Sequence, residues 1–204
     1  MSYRIQCDCG RLGGTLATNA PVRRCICYCR SCQAFAHFLD AAGTVLDERG
    51  GSDIIQTQPR FVKFDRGSDQ LACMRLSEKG ILRWYAGCCH TPIGNTLHTS
   101  RFPFISFIHT CFDTGGTDIE SAFGPVRMHV YTDGAHGNSR PESTGMTLFM
   151  LRLMGQVAWT RIIGARRRTP FFDPETDLPV AEPEVLDDDQ RQALYARADR
   201  ADRT

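Results

Sequence analysis

Cysteines spaced one or two residues apart constrain this chain more than any other feature. Such short spacings bring thiolates around one ion, whereas disulfide partners usually close longer loops. The pattern therefore predicts metal binding rather than a disulfide framework or a set of buried core thiols. Seven of the ten cysteines fall in a spaced pair, a triplet and an adjacent pair, at Cys7 and Cys9, at Cys27, Cys29 and Cys32, and at Cys88 and Cys89.

The N-terminal sequence and the charge balance indicate where the protein is located and which partners it lacks. The N-terminal MSYRIQCDCG lacks the apolar core of a secretory signal, and no run of roughly 20 apolar residues is free of charge. We therefore predict a cytoplasmic protein without a transmembrane segment, in which the thiols stay reduced. The 24 basic and 23 acidic residues leave a net charge of +1. This balance predicts no nucleic-acid partner, because such binding needs a strong basic field.

Many short strand patterns and few helical ones predict a β-rich α+β fold. Alternating apolar runs, separated by turns rich in Gly and Asp, indicate strands between residues 3 and 132. The segment SCQAFAHFL indicates a helix with Ser31 as its N-cap. Cys73 and Cys111 lie in strand-like runs, and we expect both to be buried apolar-type thiols.

After the last predicted strand, the sequence pattern becomes helical and then acidic and rich in proline. We predict a metal-binding domain over residues 1–135 and a helical extension with an acidic, Pro-rich tail over residues 136–204. An apolar helix over 144–163, ended by Gly164, is expected to pack on the β domain or against a second subunit, which would form a homodimer. A polar helix is predicted over 187–200.

The spaced pair can hold a metal ion only with help from a distant segment. A structural zinc site is tetrahedral and is filled by four protein ligands. Cys7 and Cys9 supply two of them, and the distant contributor is the adjacent pair Cys88 and Cys89, which follows a predicted strand. Because adjacent cysteines are poor partners for one small ion, we expect one of them to bind, or one to bind strongly with help from His90.

The triplet offers a different kind of site. Cys27, Cys29 and Cys32 supply three thiolates in one turn that leads into a helix. Three ligands leave one tetrahedral position open to substrate, water or an external thiol. If Cys25, two residues earlier on the same strand face, is the fourth ligand, the site is closed and structural.

Basic residues flank this triplet. Arg23, Arg24 and Arg30, with the N-terminus of the following helix, would lower the pKa of the thiols. The same groups would attract an anionic ligand.

Three motifs in order carry a resemblance to a known family. The chain contains CDCG, then CYCRSCQA, then RWYAGCCHTPIGN, and over residues 3–110 it resembles the glutathione-dependent formaldehyde-activating enzymes, which include centromere protein V. The resemblance implies a β-rich, Mss4-like β-tent and a structural zinc on the first and third motifs. It also implies a second zinc on Cys27, Cys29 and Cys32. The implied activity is that of a carbon–sulfur lyase that joins glutathione and formaldehyde into S-hydroxymethylglutathione.

The chain departs from the family pattern at three positions. Ala86 stands where the third motif has its first cysteine, and His90 stands where it has glycine. Either Cys88 compensates from a shifted position, or this zinc has three protein ligands or is absent. Tyr28 replaces the histidine of the middle motif, which removes a candidate proton carrier.

The resemblance and the residues together give two hypotheses. The first is a zinc-dependent carbon–sulfur lyase that binds one or two zinc ions and a small thiol such as glutathione. Arg23, Arg24 and Arg30, with Lys63, are then the candidate partners of the two glutathione carboxylates. The alternative is a non-catalytic, zinc-stabilised module that binds a protein or a small thiol.

Overall fold

The computed structural model describes residues 2–137, 140–144, 146–162 and 168–201, which form a strand-rich α+β structure. The prediction of a β-rich α+β fold is confirmed. The described helices are α1 (Arg30–Phe38), α2 (Ala42–Val45), α3 (Ile119–Phe123), α4 (Met146–Ile162) and α5 (Asp188–Ala201). The described strands are β1 (Ser2–Gln6), β2 (Gly13–Ala17), β3 (Arg23–Cys27), β4 (Ser52–Thr57), β5 (Val62–Arg66), β6 (Leu71–Arg75), β7 (Leu82–Ala86), β8 (Pro92–Thr96), β9 (Ile105–Ile108), β10 (Phe112–Asp113), β11 (Val126–Val130) and β12 (Glu184–Val185).

The strands form two open sheets. The smaller has four strands in the order β10-β1-β2-β5, and the larger has eight in the order β11-β3-β4-β9-β8-β7-β6-β12. Neighbouring strands are antiparallel except at the two ends of the larger sheet. There β11 pairs parallel with β3, and β12 pairs parallel with β6.

Alternation along the strands divides apolar from polar side chains. In β7, Leu82, Trp84 and Ala86 enter a core that also contains Ile5 and Leu16 of the smaller sheet. This core therefore joins the two sheets, because residues at every second position of a strand face the same side. The intervening side chains of β7 face the opposite side of the larger sheet.

The C-terminal segment contributes to this core. The rings of Trp84 and Phe171 lie 5.2 Å apart between centroids, and Phe64 contacts Phe171 edge to face at 5.7 Å. Phe171 and Phe172 are both buried, and β12 extends the larger sheet. Residues 168–201 thus share a hydrophobic core with the segment before residue 135.

Helices cover the other face of the larger sheet. Phe35 of α1 and Leu39, which caps that helix, pack with Leu186 and with Leu194 of α5. A salt bridge of 2.8 Å between Arg197 and Asp40 adds a polar link to this contact. The helix α5 therefore lies against α1, which carries part of the cysteine triplet.

Two local predictions need correction. The helix α1 begins at Arg30 with Cys29 as its N-cap, and not with Ser31. Cys29 has the extended backbone of a cap, and its carbonyl oxygen accepts hydrogen bonds from the backbone N–H groups of Cys32 and Gln33. The strand β5 was missing from the prediction, because its sequence VKFDR is mostly polar and its side chains are largely exposed.

The helix α4 matches the predicted apolar helix closely. Its Val157 and Thr160 are buried, whereas the large apolar side chains of Leu151, Met154, Trp159 and Ile162 are exposed. The contact of this helix with a second subunit stays a prediction, and Gly164 lies outside the described residues. Within the described part of the chain, no helix has the length and apolar character needed to cross a membrane.

The two tryptophans provide a test of this packing. Trp84 is 0% exposed and Trp159 is 57% exposed, so we expect Trp84→Ala to lower the free energy of unfolding by about 3–5 kcal/mol. Trp159→Ala is the matched control, with a change within about 0.5 kcal/mol. Urea titrations of both variants measure these values. Equal losses would show that the core does not centre on Trp84.

Candidate metal centres and the adjoining cleft

Four thiols from two turns converge at one point. Cys7 and Cys9 lie in the turn between β1 and β2, and Cys88 and Cys89 lie in the turn between β7 and β8. Their sulfur atoms all lie within 4.8 Å of one another. We call this set the four-thiol cluster. The structure thus brings both adjacent cysteines to the spaced pair, where we had expected one.

The distances in this cluster fit a tetrahedral ion. The Sγ–Sγ distances are 3.6 Å for Cys7–Cys9, 3.8 Å for Cys7–Cys88 and 3.9 Å for Cys88–Cys89. The Cys9–Cys88 distance is shorter, at 3.3 Å. Metal–sulfur bonds of about 2.3 Å in a tetrahedron give sulfur–sulfur edges of about 3.8 Å. The four thiols therefore form a ligand set that fits one metal ion with little rearrangement.

Backbone geometry explains how each turn presents two sulfurs. Gly10 has a φ of 73°, a conformation that glycine adopts readily, and its N–H donates to the carbonyl oxygen of Cys7 at 2.8 Å. The backbone N–H of Leu12 donates to Cys7 Sγ at 3.2 Å. In the other turn, the carbonyl oxygen of Ala86 accepts from the N–H groups of Cys89 and His90. This tight curl is what directs Cys88 and Cys89 to the same point.

Thr91 links the two turns. Its hydroxyl accepts a hydrogen bond from the backbone N–H of Asp8 at 2.9 Å and lies 3.2 Å from Cys89 Sγ. His90 is not one of the clustered ligands. Its ring lies 6.0 Å from the ring of Tyr85.

Within the four-thiol cluster, the pKa values of Cys88 and Cys89 shift in opposite directions. Burial raises the pKa of the Cys88 thiol to about 12. Burial also acts on Cys89, but hydrogen bonds from Thr91 and from the backbone of Cys9 outweigh it and lower its pKa to about 6. Adjacent thiolates repel one another, so the four sulfurs ionise together only when a cation compensates their charge.

The predicted triplet forms a second cluster. Cys27 ends β3, Cys29 is the N-cap of α1 and Cys32 lies in its first turn, and their sulfur atoms lie within 4.8 Å of one another. We call them the three-thiol cluster. Cys25 is buried beside it but is not one of the mutually close sulfurs, and its Sγ accepts a hydrogen bond from Gln56 Nε2 at 3.5 Å.

All ten cysteines lie in the described ranges, and none of them is in a disulfide bond. Cys73 and Cys111 are buried in the core, as the sequence predicted. The cysteine clusters are thus positioned to hold metal ions.

A buried arginine lies beside the three-thiol cluster. Arg83 is 2% exposed, and its Nη1 donates to Asn95 Oδ1 at 3.0 Å and lies 3.9 Å from Cys32 Sγ. Among the described residues, no carboxylate forms a salt bridge with Arg83. A buried cation needs an anionic partner, and the nearest candidates are the cluster sulfurs. Hydrogen bonds from Cys27 and Cys29, together with the charge of Arg83, hold the pKa of Cys32 well below its usual range despite its burial.

The three-thiol cluster lines a cleft of about 680 Å³. Next to the sulfurs, one face of the larger sheet contributes a row of buried polar side chains on four neighbouring strands. The strand register pairs Arg83 with Asn95, Asn95 with Ser106, and Ser106 with Gln56. We call Arg83, Asn95, Ser106 and Gln56 the polar row. Gln56 Oε1 is buried and has no hydrogen-bond partner among the described atoms.

The basic residues suggested by the sequence lie elsewhere. Arg24 forms a salt bridge of 2.7 Å with Asp53, and Arg30 forms one of 2.5 Å with Asp199. Neither these two nor Arg23 and Lys63 line the cleft, where the basic side chains among the described residues are Arg83 and Lys79. Arg83 was missed although it stands out in ILRWY, where a charged residue interrupts a run of apolar and aromatic ones.

Tyr28 and Tyr131 have different surroundings. Tyr28 is buried, and its ring stacks on the ring of His129 with centroids 6.2 Å apart, outside the cleft. Tyr131 lines the cleft and has a φ of 54°, which is uncommon for a residue with a side chain. Its side chain is largely exposed, and partial burial together with the neighbouring thiols raises its pKa.

The fold and the two clusters define a class: an α+β protein with two groups of cysteines positioned to bind metal, one of them on a cleft. A family model, described as a family of unknown function (DUF6151), matches residues 2–184, and the chain belongs to this family. The match spans both cysteine clusters and the cleft-forming strands, and it ends at the first residue of β12. No curated protein matches the chain.

Metal stoichiometry tests the four-thiol cluster. We expect Cys88→Ala and Cys89→Ala each to lose one metal equivalent in native mass spectrometry and to melt at a lower temperature, because metal binding is coupled to folding. Cys111→Ala, which removes a buried thiol outside both clusters, should keep the metal. A Cys89→Ala protein with unchanged metal content and melting temperature would show that Cys89 is not a ligand.

Proposed function

We propose that this protein is a zinc-dependent carbon–sulfur lyase that joins a thiol to an aldehyde and splits the resulting adduct. The observation that carries the proposal is the position of the three-thiol cluster on a cleft. Three thiolate ligands on an accessible ion leave one position for a substrate sulfur, as in catalytic zinc sites. The resemblance of the sequence motifs to the formaldehyde-activating enzymes supports the same reaction.

In this proposal the two clusters have different tasks. The four-thiol cluster is a closed, structural zinc site, and the fold is an Mss4-like tent that this ion stabilises. Zinc is the expected ion because it favours four thiolates in tetrahedral geometry. The location is the cytoplasm, where ten free thiols remain reduced.

The three-thiol cluster supplies the reactive centre. A zinc ion held by Cys27, Cys29 and Cys32 would bind the substrate sulfur as a thiolate. Three thiolates around a dication leave one net negative charge, and the bound thiolate adds another. Arg83 offsets part of this charge from its buried position, and Asn95 holds the guanidinium in place.

The reaction itself is redox neutral. The thiol sulfur bonds to the aldehyde carbon, the carbon–oxygen π pair moves to oxygen, and that oxygen takes the proton that the thiol gave up. The adduct is a hemithioacetal, and the reverse step breaks the carbon–sulfur bond and restores both reactants. Tyr131 lines the cleft and is the candidate proton donor, because a phenol hydroxyl is protonated at neutral pH.

Glutathione is the thiol that the sequence resemblance suggests. A glutathione carboxylate needs a cationic partner, and the exposed Lys79 at the cleft is the candidate. In this proposal Lys79 takes the role first assigned to Arg23, Arg24 and Arg30.

Exchange spectroscopy tests the proposal. Zinc-loaded protein is mixed with glutathione and formaldehyde, and the exchange rate of the adduct is followed by NMR. We expect acceleration over buffer, and we expect Cys29→Ser to reduce it to the buffer rate because the cluster loses a ligand. Cys73→Ser, which changes a core thiol outside both clusters, is the control and should retain the acceleration.

The same measurement separates the two hypotheses. If fully loaded protein gives no acceleration with any aldehyde, the lyase is excluded and the non-catalytic zinc module is favoured. Native mass spectrometry of Cys29→Ser confirms that only the metal of the three-thiol cluster has been lost.

A further inference from the structure

The wall of the cleft facing away from the sulfurs is apolar and aromatic. Phe102 and Phe104 come from the loop between β8 and β9, and Ile81 precedes β7. Leu153 of α4 completes this apolar wall. Phe102 is exposed although it lines the cleft, and a ligand that covers such a side chain gains by removing it from water.

A neighbouring aspartate fixes the loop that carries this wall. Asp177 accepts hydrogen bonds from Thr99 Oγ1 at 2.7 Å and from the backbone N–H of Ser100 at 2.9 Å. The backbone N–H of Phe104 donates to the carbonyl oxygen of Phe102 at 2.8 Å. These bonds hold the wall in place before a ligand arrives, which lowers the entropy cost of binding.

The lining of the cleft favours an uncharged, apolar group. The cleft has a volume of about 680 Å³, and in the described part of the chain no Asp or Glu lines it. A neutral apolar group therefore matches the wall better than an ammonium group does.

The polar row and the apolar wall occupy different parts of the cleft. The polar row lies beside the three-thiol cluster, where the adduct oxygen would form, and it offers donors from Arg83, Asn95 and Ser106. The apolar wall lies beyond it. A hemithioacetal carbon bound through sulfur thus has one place for its oxygen and a separate, larger place for its carbon substituent.

We infer that the aldehyde component of the substrate carries a sizeable apolar group, such as a medium-length alkyl chain or an aromatic ring, which the apolar wall binds. This inference rests on the proposed lyase function and names its substrate class. The bond changes are those of hemithioacetal formation, with no oxidant or reductant involved. Burial of each additional methylene then strengthens binding by about fourfold.

A series of aldehydes tests the inference. With glutathione as the fixed thiol, the half-saturating concentration is measured by NMR exchange for formaldehyde, propanal, hexanal and benzaldehyde. We expect hexanal to saturate at a concentration at least tenfold below that for propanal. Phe104→Ala should lower the preference for hexanal over formaldehyde by about tenfold, whereas Phe61→Ala, a phenylalanine outside the cleft, should leave the preference unchanged.

A binding measurement makes the inference independent of turnover. Calorimetry of zinc-loaded protein compares S-hexylglutathione with S-methylglutathione, and we expect the hexyl compound to bind at least tenfold more tightly. Equal affinities for S-hexylglutathione and S-methylglutathione would overturn the inference. If formaldehyde is processed at least as efficiently as hexanal, the inference is also overturned while the lyase stands. If no aldehyde reacts but the hexyl preference persists, the lyase fails and the apolar subsite remains.

Discussion

The convergence of four sulfurs from two distant turns is the constraint on which the rest of the structure depends. The turn between β1 and β2 belongs to the smaller sheet, and the turn between β7 and β8 belongs to the larger one. The four-thiol cluster therefore ties the ends of the two sheets together, while Trp84 and Phe171 fill the space between them. A bound ion would fix their separation at one edge, and the aromatic core would fix it further along the strands.

The larger sheet serves two purposes on its two faces. Leu82 and Trp84 of β7 point into the shared core, and Arg83 between them points to the cleft. The same alternation on β4, β8 and β9 produces the polar row. Because β3 leads directly into α1, the three-thiol cluster forms at the edge of this row. One strand pattern thus builds both the stabilising core and the polar side of the candidate site.

The sequence predicted the local features well and the long-range ones poorly. Strand alternation located nearly all of the longer strands, and cysteine spacing identified the members of both clusters, because these signals depend on neighbouring residues. The role of Arg83 and the joint use of Cys88 and Cys89 depend on which distant segments meet. The tight turn after Ala86, with His90 in a left-handed conformation, brings both sulfurs inward. Spacing alone could not reveal that turn. Arg24 and Arg30 looked suitable as anion-binding residues until the fold paired them with Asp53 and Asp199.

The parallel end strands of the larger sheet affect how this protein behaves at high concentration. An exposed sheet edge offers unpaired backbone groups to another chain and so promotes aggregation. One edge ends in β12, which has two residues, follows Pro183 and contains Glu184. So short a strand, with proline before it and a charge within it, is a poor template for intermolecular pairing. The C-terminal segment thereby protects this edge of the eight-stranded sheet from pairing with a second copy.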